Sequence, residues 1–348
     1  ETTNPTGGPS AWTKHEIGVV DYAHTLQVAD FDLDGDNDIL AASTKWRTEG
    51  QVNIFANDGR GGFTGKVVDN KYMYTGIIGD IDNDGDIDIL SSKSWEDSPI
   101  ALWRNTLNQV IGLDNWLYKA VDTNRAKYSL SGYNFFGIYM ADATGDGYTD
   151  IVSGKYFYRN PGQDMTGTWP RYEFPIEADG ALIVNVDGDS FGDVIAFALP
   201  DVYWFEANAD GSVWTEQRKI SLQADTATDH KNPQGWRLAD LTGDGNPEII
   251  FEAGKESLNS AGAYALQIPA NPATDNWQLA RLTPTGGDGI GIGDIDGDGD
   301  LDITIGQRNV KWYENPGSLG LWTGYNVGDT VASADRFSIA DVDKDGRP

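Results

Sequence analysis

The 348-residue chain contains no cysteine, which removes disulfides as a source of stability and thiolates as nucleophiles or metal ligands. This absence does not fix the compartment, because a large disulfide-free chain suits a bacterial exoprotein as well as an animal one. Positive charge is also scarce: 25 Lys and Arg face 54 Asp and Glu, for a formal net charge of −29. Such a field repels phosphate backbones and anionic lipid, so neither nucleic acid nor a membrane surface is an expected partner. No apolar run approaches the roughly 18 residues of a spanning helix, so membrane insertion is not expected. Glu1 to Ser10 lack the cationic and apolar regions of a signal segment, and residues 1–11 read as a linker or a mature N-terminal segment. Also missing are a Gly-x-Ser-x-Gly elbow, a His-Glu-x-x-His helix, a phosphate loop and a dinucleotide fingerprint, which leaves common hydrolase and nucleotide chemistries without local support.

What the chain does have is 39% hydrophobic and 11% aromatic residues, enough for a sizeable core, and an internal repeat. An acidic cassette, Asp30-Phe-Asp32-Leu-Asp34-Gly35-Asp36-Asn-Asp38 in its first copy, recurs from Asp80, Asp142, Asn185, Asp240, Asp294 and Asp341, at spacings of 50, 62, 43, 55, 54 and 47 residues. A loose period near 50 suits small sheets joined by variable loops. Each repeat reads as four strands. The first ends before the cassette (Leu26 to Ala29, Gly76 to Gly79) and the second begins after it (Ile39, Ile89), which makes the cassette a hairpin turn. A third follows (Val52 to Phe55, Ala101 to Trp103, Val202 to Phe205, Val310 to Tyr313). A fourth opens with a tryptophan five or six residues before an aliphatic or Phe, as at Trp12, Trp116, Trp169, Trp214, Trp277 and Trp322. These tryptophans are expected to pack between sheets.

The prediction is an all-β, seven-bladed β-propeller of four-stranded antiparallel blades over residues 12–348. The segment from Trp12 to Ile17 would serve as a fourth strand for the last blade. That blade's second and third strands would lie beyond Pro348, so the last blade is expected to be incomplete and the chain to be a domain of a larger one.

Calcium binds about six to eight oxygens at about 2.3–2.6 Å, and alternating acids around a glycine turn supply them. In the first cassette Asp30, Asp32, Asp34 and Asp38 hold positions 1, 3, 5 and 9, and the Asp36 carbonyl, at position 7, adds a main-chain donor. The helical calcium hand requires a bidentate Glu at position 12, where this chain has Ala41, Ser91, Ser153, Ala196, Phe251 and Ile305, so that motif is excluded. Candidate ligands in the other copies are Asp80, Asp82, Asp84, Asp86 and Asp88; Asp142, Thr144, Asp146 and Asp150; Asn185, Asp187, Asp189 and Asp193; Asp240, Thr242, Asp244 and Glu248; Asp294, Asp296, Asp298, Asp300 and Asp302; and Asp341, Asp343 and Asp345. Thr144 and Thr242 predict weaker sites. The Asn185 loop, with Ser190 where the glycine belongs, and the short Asp341 loop are the least complete. Seven such loops in phase hold 27 of the 54 acids, and bound dications would offset much of the self-repulsion.

This Asp-x-Asp-x-Asp-Gly-x-x-Asp loop followed by an aliphatic strand, repeated seven times, resembles the FG-GAP/VCBS repeats of integrin-like seven-bladed propellers over roughly residues 12–348. The resemblance implies the propeller fold and several calcium ions. For activity it implies little, since such propellers include adhesion receptors, lectins and parts of polysaccharide-degrading enzymes. Weak calcium modules suit millimolar extracellular calcium, so secretion or surface display is expected.

A ligand is expected on the face opposite the cassettes, where loops vary most. Lys45, Trp46, Arg47, Trp95, Lys127, Tyr128, Asn232 and Arg336 are the candidate contacts for a glycan or polysaccharide, with aromatic rings against sugar C–H faces and polar groups on hydroxyls. The alternative is a lyase that cleaves uronate-containing glycans by β-elimination. In it His24 or His230 would act as base, Tyr22 or Tyr133 as acid, and Arg125, Lys127 or Arg336 would neutralise the carboxylate. A protein-binding adhesion module is the third reading.

Overall fold

The structure is a computed structural model that describes residues 4–44, 50–92, 99–107, 116–126, 137–162, 165–208, 211–228, 233, 235–254, 259–287, 289–306, 309–329 and 336–347. The chain divides into two compact units, residues 18–221 and residues 222–348 with 1–17. The first unit holds four antiparallel sheets of four strands in chain order: β1–β4 (Ala23–Ala29, Asp38–Ser43, Val52–Asn57, Phe63–Asp69), β5–β8 (Thr75–Gly79, Asp88–Ser92, Ile100–Asn105, Trp116–Asp122), β9–β12 (Tyr139–Ala141, Asp150–Ser153, Tyr156–Tyr158, Arg171–Glu173) and β13–β16 (Gly180–Val184, Asp193–Ala198, Asp201–Ala207, Trp214–Ser221). The second holds two more: β17–β20 (Trp236–Ala239, Glu248–Ala253, Gly262–Gln267, Gln278–Arg281) and β21–β24 (Ile290–Gly293, Asp302–Gly306, Asn309–Glu314, Thr323–Asp329). The architecture is that of an all-β propeller built from four-stranded blades.

Six such blades are present among the described residues, one fewer than the repeat count predicts. The difference lies at the expected seventh. Trp12 to Ile17 form no strand; the two short 3-10 turns before them, Pro5–Gly7 and Pro9–Ala11, rest against β24. The Asp341 cassette takes up its turn without flanking strands among residues 336–347. A cassette specifies its own turn through local hydrogen bonds, whereas a strand needs a neighbour to pair with.

Within each blade the sequence explains the register. The residue before the cassette pairs with its ninth position in every case: Ala29 with Asp38, Gly79 with Asp88, Ala141 with Asp150, Val184 with Asp193, Ala239 with Glu248 and Gly293 with Asp302. The second strands are buried almost throughout, consistent with their Ile, Leu, Val and Ala content, while fourth strands such as β16 expose alternate residues. Neighbouring blades meet through apolar faces. Phe31, Leu40, Ile54, Ile89 and Trp103 join the first two, Ile81, Leu90, Ile151 and Tyr158 the second and third, and Leu241, Ile250, Ile303 and Tyr313 the last two. Cassette position 2 (Phe31, Ile81, Leu241) thus inserts from the turn into the core between blades. Trp169, Trp214, Trp277 and Trp322 are buried at the head of the fourth strand, as expected of packing residues.

An asparagine closing the third strand couples blades together. Asn105 donates from Nδ2 to the Phe31 carbonyl of the preceding blade at 3.1 Å, Asn160 does the same to Ile81 at 3.0 Å, and Asn315 to Leu241 at 2.9 Å. Asn105 is fully buried, so its truncation leaves a buried carbonyl without a donor. Asn105→Ala and Asn315→Ala should each lower unfolding free energy by about 1–3 kcal/mol in urea titrations. Asn57→Ala, whose side chain donates to Asn37 of its own blade, should cost less.

Candidate metal loops and the opposite blade ends

The cassettes fold as one repeated local structure. The position-1 acid accepts the backbone N–H of position 6 in the same way in six of the seven loops: Gly35 to Asp30 at 2.9 Å, Gly85 to Asp80 at 2.9 Å, Gly147 to Asp142 at 2.8 Å, Gly245 to Asp240 at 2.7 Å, Gly299 to Asp294 at 3.0 Å and Gly346 to Asp341 at 2.9 Å. Those glycines have φ between 87° and 99°, a region a side chain rarely enters, which is why glycine recurs there. Position 4 is also left-handed in all seven loops, with Leu33 at φ 57° and Lys344 at φ 58° carrying side chains into it. The Asn185 loop departs as its sequence suggests. Gly188 supplies the positive φ at position 4, and Asn185 accepts from Gly188 and donates to the Asp189 carbonyl, both at 2.7 Å.

Position 9 has a different role. Asp38, Asp88, Asp150, Asp193 and Asp302 are buried, and each accepts from the backbone N–H of position 2, as in Phe31 to Asp38 at 2.9 Å. All except Asp193 also accept from the backbone N–H of the third-strand asparagine, at 2.8 Å for Asn57, Asn105, Asn160 and Asn315. Glu248 makes the first of these contacts in the fifth blade, to Leu241 at 2.9 Å. Burial outweighs these hydrogen bonds and raises the carboxyl pKa values to about 6 for Asp38, Asp150 and Asp302, about 7 for Asp193 and about 8 for Asp88.

Three acids converge, with ligand oxygens all within 4.8 Å of one another, in five loops: Asp30, Asp32 and Asp38; Asp80, Asp82 and Asp88; Asp187, Asp189 and Glu206; Asp294, Asp296 and Asp298; and Asp341, Asp343 and Asp345. Among the described residues the Asp142 and Asp240 loops gather no such set, in keeping with Thr144 and Thr242 at position 3. A hard cation fits the donor set. All donors are carboxylate oxygens, and the Oδ1 atoms of Asp32, Asp82 and Asp86 are buried without a hydrogen-bond partner. Glu206, from β15, has no counterpart in the cassette pattern. Its contribution was hidden because it lies 13 residues beyond Asp193 in the sequence and reaches the loop only through strand pairing.

At the other end of the blades, His24 holds its Nδ1 2.6 Å from the Tyr74 carbonyl and stacks on the Tyr74 ring with centroids 4.0 Å apart. Tyr22 beside it is exposed and sits at φ 52°. Arg125 is instead buried, with Nη1 donating to Ser153 Oγ at 2.8 Å, and its pKa is lowered by desolvation. Arg336 is half-buried in a segment without regular structure. Lys45, Trp46, Arg47, Trp95, Lys127, Tyr128, Tyr133, His230 and Asn232 lie outside the described residues.

A family model described as the FG-GAP-like repeat matches residues 30–91, from the first cassette through β2–β5 and the second cassette into β6. Residues 30–91 match an FG-GAP-like repeat. No curated protein matches the chain. Among solved structures, an Agrocybe aegerita lectin described as recognising non-reducing terminal N-acetylglucosamine is similar at 19% identity and a TM-score of 0.55, over 90% of this chain and 82% of that one. BBS1N in complex with ARL6DN, soaked with lead, is similar at 11% identity and a TM-score of 0.53, over 90% of this chain and 89% of that one. At these identities the likeness is one of fold. Among the described residues no helix is long and apolar enough to cross a membrane.

The raised position-9 pKa values give a pH test. Between about pH 4 and 8 the folded, metal-free chain holds protons that the unfolded chain has released, so its stability should fall as pH rises through that window. In chelator the melting temperature should therefore increase from pH 8 to pH 5. With calcium, which requires ionised carboxylates, the gap over the chelated sample should be widest near pH 8 and narrow on acidification. A gap independent of pH would contradict the shared use of these carboxyls.

Proposed function

We propose that the chain is a secreted or surface-displayed, calcium-stabilised propeller that binds carbohydrate at the blade ends opposite the acidic loops. The observation that carries this reading is the division of the first blade into two chemically different ends. The cassette end is occupied by carboxylates arranged for cations. At the opposite end of the first blade, Tyr22 presents an exposed ring from a left-handed backbone, with its carbonyl accepting the Thr44 N–H at 2.9 Å. A strained, exposed aromatic next to the His24–Tyr74 stack is a fitting element of a sugar-binding surface. The lectin neighbour supports the glycan class, and calcium is favoured over magnesium because these loops offer many oxygens in an adaptable ring.

A glycan array that includes terminal N-acetylglucosamine conjugates and acidic polysaccharides tests it. Tyr22→Ala, Trp46→Ala and Trp95→Ala should each weaken binding about tenfold or more without moving the melting temperature. Trp103→Ala should instead destabilise the fold by about 3–5 kcal/mol, because Trp103 is fully buried between the first two blades. Binding lost only on changing the cassettes would place the ligand at the metal end and overturn the reading. Release of new unsaturated uronate ends from an acidic polysaccharide would favour the lyase, with His24→Ala or His230→Ala abolishing turnover.

A further inference from the structure

The third strand of every blade presents one side chain to its cassette, immediately before the position of the closing asparagine. These residues are Ala56, Arg104, Arg159, Glu206, Gln267 and Glu314, placed by the pairing of the preceding residue with cassette position 10. Backbone register makes the six positions equivalent, but their charges differ in sign. Glu206 joins Asp187 and Asp189 in a carboxylate cluster. Gln267 donates to Glu248 at 3.3 Å. In the second blade Arg104 enters the loop itself: its Nε pairs with Asp82 Oδ2, and its Nη2 donates to Asp84 Oδ2 at 3.1 Å.

The second loop is among the most complete by sequence, with acids at positions 1, 3, 5, 7 and 9, and it carries a guanidinium, as does the third, where Arg159 Nη2 donates to Asp146 Oδ2 at 3.1 Å. Asp82 is fully buried, and so are Asp86 and Asp88. Several carboxylates removed from water require either protons or a cation close by. Arg104 meets that requirement from within the chain, while Asp82 Oδ1 remains without a hydrogen-bond partner inside the cluster with Asp80 and Asp88. In the first blade the equivalent Ala56 supplies no charge.

We propose that Arg104 is the resident cation of the second loop, and that the residue at this third-strand position decides whether a cassette takes its positive charge from the protein or from a divalent ion in solution. The proposal rests on the reading of the cassettes as calcium loops and adds that the second, despite its acid cluster, is excluded from the set, as is the third, whose Arg159 pairs with Asp146. In wild type the second loop is closed to calcium. Removing the guanidinium without adding charge opens it, because the carboxylate oxygens that Arg104 engages become ligands. Arg104→Lys keeps the charge and should keep the loop closed.

The test is the number of calcium ions bound, by calorimetric titration of the full chain after chelator treatment. Arg104→Gln should bind one more ion than wild type, and Arg104→Lys the same number as wild type. Asp82→Asn in the wild-type background should leave the number unchanged, whereas Asp32→Asn, in the first loop with Ala56, should reduce it by one. An unchanged count in a folded Arg104→Gln chain, or loss of one ion in Asp82→Asn, would overturn the proposal while leaving the calcium reading of the other loops intact. A wild-type chain that binds no calcium, with one ion bound by Arg104→Gln, would uphold the role of Arg104 and remove the calcium reading elsewhere. Binding by neither would overturn both.

Discussion

The structure depends on a buried carboxylate at the ninth position of the cassette in each of the six blades. One oxygen takes the backbone N–H of position 2 and so fixes the turn, and in four blades the other takes the N–H of the third-strand asparagine. That asparagine's side chain reaches the preceding blade in three of the four. A single acid therefore links loop, sheet and inter-blade packing. Its burial makes the ionised form costly unless a cation is near, which couples the integrity of the blade to whatever supplies positive charge at the turn.

That coupling lets one scaffold carry loops of different character. Position 1 caps the turn through backbone N–H groups and position 9 anchors it, so both are held by the fold as well as by any metal. Position 3 and the third-strand residue before the asparagine are less constrained, and the chain varies them: Thr144 and Thr242 at the former, Arg, Glu, Gln and Ala at the latter. Acids converge where position 3 is Asp, and a guanidinium enters where the third strand offers Arg104 or Arg159. The opposite blade ends are free of these demands, which is why the connections there differ in length and composition.

Much was legible in the sequence because the information is local. A cassette of nine residues with alternating acids and a glycine dictates its own turn, and the period-2 strands on either side follow from their β-branched and aromatic residues. The repeat thus announced four-stranded blades and metal-type loops, and the tryptophans at the head of the fourth strand announced packing. Contacts set by strand pairing were not legible. Arg104 lies 22 residues from Asp82, and Glu206 lies 19 residues from Asp187; only the antiparallel register of second and third strands brings each pair together. The asparagine reads in sequence as a turn residue, and its bond to the preceding blade appears only once the blades are packed.

The blade count shows the same boundary. Seven cassettes could be counted along the chain, but a blade exists only where four strands pair, and six sets do so among the described residues. Trp12 to Ile17 has the composition of a fourth strand and forms none, and the turn at Asp341 folds without a sheet around it. By itself, then, the sequence determined the turns, the strand periodicity and the supply of carboxylates. Tertiary structure decided which segments became blades, which acids shared a site and which loops received an arginine, because hydrogen-bond partners across a sheet are chosen by register and not by distance along the chain.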